Sequence, residues 1–501
     1  MNLRFIYAIL VCIIYWMPGF QNEGLRFYVL TTLLLFFTIY ELRRVYLRRT
    51  GYFFISPIFL ANVITFGLVF GAIANYFLLI DGAYFVKNFG YKVIDEPEWL
   101  SYTMFLACMA SLAVWIGYDS KLGENFFKRI TSIPIYKKLY ESEVNESRVI
   151  FFTLIAYLAK FYLFGIGLYG RIVSEEYFEA GTGFKIGSQL RVLGDLSFVT
   201  FFFISILKFR QHSFKMNVLF YGCLLLELFF GFIYGARSAF IAPFLIILIA
   251  YYYVSRRIGL VSLFMVGVST YLAFTIVLDF KNYVLGKEFL RPTNTIEVVS
   301  NFNENQNRFV TTKKGRYDLN SALNATLISV TFVPETAVAI RQRDKIGMDG
   351  LTNPNIFITI LKFPLDAFVP RFIQGENEFP WGFWFKEEVI EVNKGLKYSV
   401  AMSPIGWLYM GGGIWLVLAG FWFYGVLLKF AYPFILQKSL FSVLTYIMLL
   451  STLYNLDSIY SNALIYTCRY VFIYPIIFWI MFDSKFFKTL KGRSGGMVNI
   501  R

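Results

Sequence analysis

The sequence predicts an all-α integral membrane protein of about twelve transmembrane helices, with both termini in the cytoplasm and one long loop on the far side. Three observations predict it. The 501 residues are 57% hydrophobic and have a mean hydropathy of +0.57, which is more apolar surface than a soluble chain hides. Charged residues make up only 16% and gather between apolar runs. Those runs approach or exceed the roughly 18 residues that cross a bilayer as a helix, a structure that satisfies its own backbone in lipid.

The first run, 5–20, follows Arg4. No small-residue cleavage site follows it and a second run begins at Phe27, so it reads as a retained helix rather than a signal peptide. The remaining runs are 27–40, 53–80, 100–118, 149–169, 192–207, 216–234, 238–254, 258–280, 404–428, 440–456 and 463–482. Every second gap is basic, as cytoplasmic loops are. Arg43, Arg44, Arg48 and Arg49 follow the second run, and Lys121, Lys128, Arg129, Lys137 and Lys138 the fourth. Lys208, Arg210 and Lys215 follow the sixth, Arg256 and Arg257 the eighth, Lys429 and Lys438 flank the tenth gap, and Lys485, Lys488, Lys491 and Arg493 form the tail. The short opposite gaps are poor in Lys and Arg, and 81–100 carries Asp95, Glu96 and Glu98 instead. The net charge of +15 is therefore a topology signal, and nucleic acid is not an expected partner.

The chain divides into nine helices over 1–280, a far-side loop over 281–403, and three helices with a basic tail over 404–501, together one membrane domain. The loop escapes the charge rule because it is long. Its one apolar stretch, 351–370, is interrupted by Lys362, Pro364 and Asp366 and reads as re-entrant or interfacial; a pair of spans there would also keep both ends on one side. Cys12, Cys108, Cys223 and Cys468 all lie in apolar runs and suggest neither disulfides nor a metal site. No phosphate-cradling loop, nucleophile elbow or zinc spacing is present, so no cofactor is expected and any chemistry must be driven by an activated substrate.

Charges within or at the lip of the hydrocarbon are costly and so are functional candidates: Lys160, Asp195, Glu227, Arg237, Asp279, Asp457 and Arg469. Lys160 reads more simply as a partner of Glu227 or as a snorkelling chain. The sharpest local feature is Tyr234-Gly235-Ala236-Arg237-Ser238, a tight turn between the seventh and eighth runs. With Ser238 as cap, the free N–H groups of the eighth helix and the Arg237 guanidinium suit a phosphate or diphosphate; an ordinary turn with an interfacial Arg fits the same residues. The long loop mixes Arg308, Lys313, Lys314, Arg316, Arg341, Arg343, Lys345 and Arg371 with Glu335, Asp366, Glu376, Glu378, Glu387 and Glu388, and interleaves Trp381 and Trp384. Aromatic faces beside carboxylates and arginines are what a sugar site uses, and a loop this long is more often functional than ornamental.

The Gly235-Ala236-Arg237-Ser238 turn leads into a helix ending in Arg256 and Arg257, and the long loop runs into Ser403-Pro404-Ile405-Gly406-Trp407-Leu408-Tyr409-Met410-Gly411-Gly412-Gly413. Both features resemble the bacterial O-antigen polymerase (Wzy) and oligosaccharide repeat-unit polymerase families, which carry a Gly-X-Arg-Ser-like turn and a Gly-Leu-Tyr-like segment after the main periplasmic loop. Arg371 and Gly382 also match the Arg-X10-Gly spacing associated with such loops, whereas no second copy occurs: after Arg171, Gly181 falls one residue short and Gly183 one beyond.

The resemblance implies a bundle similar to the GT-C glycosyltransferases in a bacterial inner membrane. It implies a growing glycan on undecaprenyl diphosphate transferred to an incoming lipid-linked repeat unit. The partners it implies are a lipid-linked donor and acceptor and the bilayer, with a chain-length regulator left open. Cations would stabilise the leaving diphosphate: Arg237 and Arg371 in the reaction itself, with Arg191, Ser238, Arg341, Arg469 and Tyr409 in binding. A base must take the acceptor proton. O-antigen ligases are described with a periplasmic His in that role, but His212 lies in a basic cytoplasmic gap, which leaves Glu335 and Glu376 as the carboxylate choices. An O-antigen ligase and a polysaccharide or lipid transporter (flippase) stay open as alternatives.

Overall fold

In the computed structural model the described residues are 3–17, 22–48, 55–78, 97–141, 143–166, 182–211, 213–235, 237–255, 260–277, 280, 297, 331–350, 356–369, 403–437, 439–453 and 460–482. Among them the regular structure is helical, with no strand. The helices are α1 (Leu3–Trp16), α2 (Glu23–Arg48), α3 (Pro57–Ala61), α4 (Ala72–Leu78), α5 (Pro97–Asp119), α6 (Leu122–Thr131), α7 (Pro134–Tyr140), α8 (Glu146–Gly165), α9 (Thr182–Gln211), α10 (Phe214–Tyr234), α11 (Arg237–Ser255) and α12 (Leu260–Leu272). They continue with α13 (Val333–Gly350), α14 (Ile356–Leu361), α15 (Phe363–Phe368), α16 (Pro404–Leu436), α17 (Leu440–Leu453), α18 (Tyr460–Cys468) and α19 (Tyr474–Phe482). Each apolar run of the sequence becomes one of these helices or a short series of them. Glu23–Leu47, Glu98–Asp119, Glu146–Gly165, Phe214–Tyr234, Pro404–Leu436 and Ala463–Phe482 are long and apolar enough to cross a membrane.

Two runs expected as continuous helices are broken. In 53–80, α3 passes into a π-helical stretch, Asn62–Val69, and stops before Gly71, which has φ 77°. In α16 the helix kinks at Gly412 and Gly413, the latter with φ 66°. The last run also contains a π-helical turn, Arg469–Ile473, between α18 and α19. The basic gap after the fourth run is not an open loop but holds α6 and α7, and the loop 281–403 contains α13. The stretch 351–370 contains α14 and α15, of six residues each, too short to cross a bilayer.

The chain forms two compact units: 1–140, 327–437 and 445–476 make one, and 141–326, 438–444 and 477–501 the other. In the first, α5 and α16 pack backbone to backbone. A Cβ at Gly117 would strike the Trp422 carbonyl, and one at Gly425 the Val114 carbonyl, so small residues set that approach. At one end of this unit Arg4 and Arg44 both reach Glu41 and Asp119, tying α1, α2 and α5.

In the second unit Lys160 on α8 meets both carboxylate oxygens of Glu227 on α10 at 2.9 Å, with each side chain 1% exposed. The Tyr157 hydroxyl donates to Glu227 at 3.0 Å, and the rings of Tyr157, Phe198 and Phe230 surround the ammonium. The pairing anticipated for Lys160 is thus observed. The turn before α11 is tight: Gly235 takes the left-handed conformation and donates its N–H to Phe232 O at 3.0 Å. Helix α11 already begins at Arg237, so Ser238 lies inside its first turn instead of capping it as expected.

Candidate functional site

One group of polar residues in the first unit lies on and around α13. Its start follows from local chemistry: Pro334 and Glu335 stand in the first turn, where a missing N–H costs nothing and a carboxylate favours the positive end of the helix dipole. Over 333–342 the helix is buried on nearly every side. Val333, Ala337, Val338, Ala339 and Ile340 are core residues, and Arg341 is only 8% exposed. It packs against α5 and α16, the reverse of a solvated loop.

Each end of this buried stretch meets a helix break. At the near end the Phe332 N–H donates to Val69 O at 2.7 Å, filling a carbonyl freed where the π-helical stretch stops. Thr331 Oγ1 and the Asn75 side chain occupy the space that a Cβ on Gly71 would need. At the far end the Arg343 guanidinium lies against Gly413, with Nη1 2.6 Å from where a Cβ would sit. A left-handed φ and a closely approaching cation together require glycine at this kink. Between the breaks, Thr336 Oγ1 and Ser403 Oγ share a hydrogen bond, and Ser403 caps α16 by accepting from the Gly406 N–H at 3.0 Å.

An aromatic band extends from α13. Arg343 stands over the Tyr409 ring at 4.7 Å, and Tyr409 meets the Tyr102 ring edge-on at 5.7 Å. Tyr102 contacts Tyr15 at 5.5 Å, and Arg26 stands over Tyr15 at 5.4 Å. Glu23 pairs with Arg26 and accepts from Ser101 Oγ. The band therefore joins the end of α1, the beginnings of α2, α5 and α16, and α13. Tyr409 is buried, whereas Tyr15, Glu23, Arg26, Tyr102, Glu335 and Arg343 are partly exposed. Aromatic faces alternating with ionised forks can stack on sugar rings, bind hydroxyls and hold phosphate.

Glu335 is the carboxyl that α13 contributes to this site. Part of the residue reaches the surface, but Oε2 is buried with no hydrogen-bond partner among the described residues. Burial pushes its pKa up to about 7, and the residue's own backbone N–H pulls it down by less. A carboxyl that titrates near neutrality can hold or accept a proton under working conditions.

Of the residues singled out in the sequence, Glu335, Arg341 and Tyr409 come together around α13. Arg469 lies elsewhere in this unit, donating to Asp366 O at 2.7 Å and Ala367 O at 3.2 Å, where it closes the last turn of α15. Arg191 lies in α9, and Arg237 and Ser238 open α11; their side chains, and all of Arg371, Glu376, Asp279, Asp457 and His212, lie outside the described residues. Tyr15, Tyr102, Glu23 and Arg26 were not anticipated, and Arg343 was counted only among the loop cations. The available signal was position: the first four sit at the ends of apolar runs, where interfacial aromatics and ions collect. No protein-family model matches the chain, and no curated protein or solved structure matches it. The family resemblance therefore rests on the sequence alone: the expected topology, the Arg237 turn, the segment ending at Gly413 and the Arg371–Gly382 spacing.

Proposed function

We propose that the chain is a glycosyltransferase that joins undecaprenyl-diphosphate-linked oligosaccharide repeat units into O-antigen or a similar surface polysaccharide at the periplasmic face of a bacterial inner membrane. In this reading twelve helices cross the membrane with both termini inside. That topology puts the end of α1 and the beginnings of α2, α5 and α16 at the outer surface, which is where the aromatic band lies. The observation that carries the proposal is this convergence of Tyr15, Tyr102, Tyr409, Arg343 and the proton-holding Glu335 on helix ends that the charge pattern places on one side.

The acceptor sugar hydroxyl gives its proton to Glu335. Its oxygen forms a bond to the anomeric carbon of the donor glycan as the bond from that carbon to the diphosphate oxygen breaks. The electron pair leaves on the lipid diphosphate, whose charge Arg343 and Arg341 stabilise; the family resemblance separately nominates Arg237 and Arg371 as diphosphate cations. Glu335 and Arg343 are eight positions apart on α13, about 12 Å along the axis.

One observation favours a second reading. Broken helices near a binding site are a device of transporters, and the Gly71 and Gly413 breaks flank α13. Purified protein in proteoliposomes, supplied with lipid-diphosphate-linked repeat units, separates the two. Polymerisation gives a ladder of products spaced by one repeat and releases lipid diphosphate, and Arg237→Ala shortens that ladder while the protein stays in the membrane. Movement of the lipid-linked unit across the bilayer with no new glycosidic bond establishes the flippase instead.

A further inference from the structure

Helix α6 divides into two faces. One packs on the end of α16: a Cβ on Gly123 would come within 2.6 Å of Val426 O and 2.8 Å of Lys429 Cβ, Lys429 pairs with Glu124 at 2.8 Å, and the Phe127 ring meets Phe434 edge-on at 4.9 Å. Helix α7 is fastened nearby by the Tyr136 hydroxyl, which donates to Val471 O at 2.7 Å. These contacts fix the segment at the end of two membrane-length helices, α5 and α16.

The other face is apolar and uncovered. Leu122 is 41% exposed, Phe126 42% and Ile133 41%. Leu122 and Phe126 are four apart and so share one stripe of the helix, and Ile133 continues it in the turn that follows. The exposed cations Lys121, Lys128, Arg129, Lys137 and Lys138 border it. Outward-facing apolar side chains with long basic chains at their margin are the pattern of a helix lying in a bilayer interface. Ile116 near the end of α5 and Leu436 at the end of α16 are apolar and exposed as well, at 49% and 40%.

We propose that α6 and the following turn form a docking surface for anionic phospholipid headgroups, with Leu122, Phe126 and Ile133 set among the acyl chains and Lys121, Lys128, Arg129, Lys137 and Lys138 at the phosphates. The charge is complementary to an anionic leaflet, and a neutral surface would not call for five exposed cations around so short a stripe. The inference needs only that the chain spans a membrane, and is independent of the glycosyltransferase reading.

The test uses the full chain in lipid nanodiscs, with the four native cysteines replaced and a spin label at Phe126→Cys or, separately, Ile133→Cys. Both positions are exposed, so neither label should disturb packing. The expected result is a label more accessible to oxygen than to a water-soluble nickel chelate at both sites, and the reverse at Asn125→Cys on the polar side. Phosphatidylglycerol retained by the purified protein should fall about fivefold for each cation removed in Lys128→Gln and Arg129→Gln, while retained phosphatidylcholine stays constant. Labels at 126 and 133 that meet the nickel chelate as freely as water does would overturn the proposal, as they would if a soluble protein were the partner of this face. Unchanged phosphatidylglycerol retention in the charge variants would overturn the anionic specificity.

Discussion

The Lys160–Glu227 pair and the α13 region both place ionisable groups among apolar helices, but they are finished differently. Lys160 and Glu227 are 1% exposed, their charges cancel, and Tyr157 takes part in the network. Around α13, by contrast, Glu335 Oε2 is buried with no hydrogen-bond partner among the described residues, and both Glu335 and Arg343 are partly exposed. A fully compensated charge pair is a brace. A buried carboxyl oxygen with no partner among the described residues, on a helix flanked by two breaks, is the feature on which the proposed function relies.

That contrast is broken most sharply in the brace. Lys160→Ala should leave the Glu227 carboxylate buried and unpaired, costing about 3–5 kcal/mol, read as a large drop in thermal unfolding temperature in detergent. The double change Lys160→Met, Glu227→Met should recover most of the loss; failure of the double variant to recover would mean that the pair does more than cancel charge.

The next effect belongs to the site. Glu335→Gln should lower glycan elongation by about 10²-fold or more with an unfolding temperature at least as high as the parent's. The pH dependence has opposite signs for stability and activity. With a pKa raised from 4.5 to about 7, the neutral carboxyl is the form the fold prefers. Its contribution to stability is complete below pH 4.5 and is lost as pH rises through about 7. The ionised form needed to accept a proton grows over the same interval.

Smaller effects sharpen the picture of the kink. Gly413→Ala should cost about 1–3 kcal/mol, because its φ of 66° with ψ of −158° is a backbone open essentially to glycine alone, and should displace Arg343, so unfolding temperature and substrate affinity fall together. Tyr409→Leu keeps an apolar side chain but removes the ring beneath Arg343, a loss of about 0.5–1 kcal/mol, seen as a modest weakening of substrate binding with little change in turnover.

The two regions were also unequally legible in the sequence. Lys160 and Glu227 stand out because charges are scarce inside apolar runs. The runs themselves are visible because a helix in lipid must be apolar along most of its length. The breaks at Gly71 and Gly413 were not read, since hydropathy does not register backbone conformation, although the Gly411-Gly412-Gly413 triplet was already conspicuous as a motif. Helix α13 escaped because Arg341, Gln342 and Arg343 make it look like surface, and its burial comes from α5 and α16, which are remote in sequence. Glu335, Arg341 and Tyr409 could be nominated by residue type, whereas Tyr15 and Tyr102 become site residues only when chain ends far apart in sequence are brought together.

The central claim is that Glu335 on α13 receives the acceptor proton. Its most direct test is the rate of repeat-unit addition by purified protein across pH, for the parent and for Glu335→Gln. The parent rate should climb with rising pH around a midpoint near 7, and the Gln variant should be slow and flat. An equally fast Gln variant with the same pH profile would contradict the account.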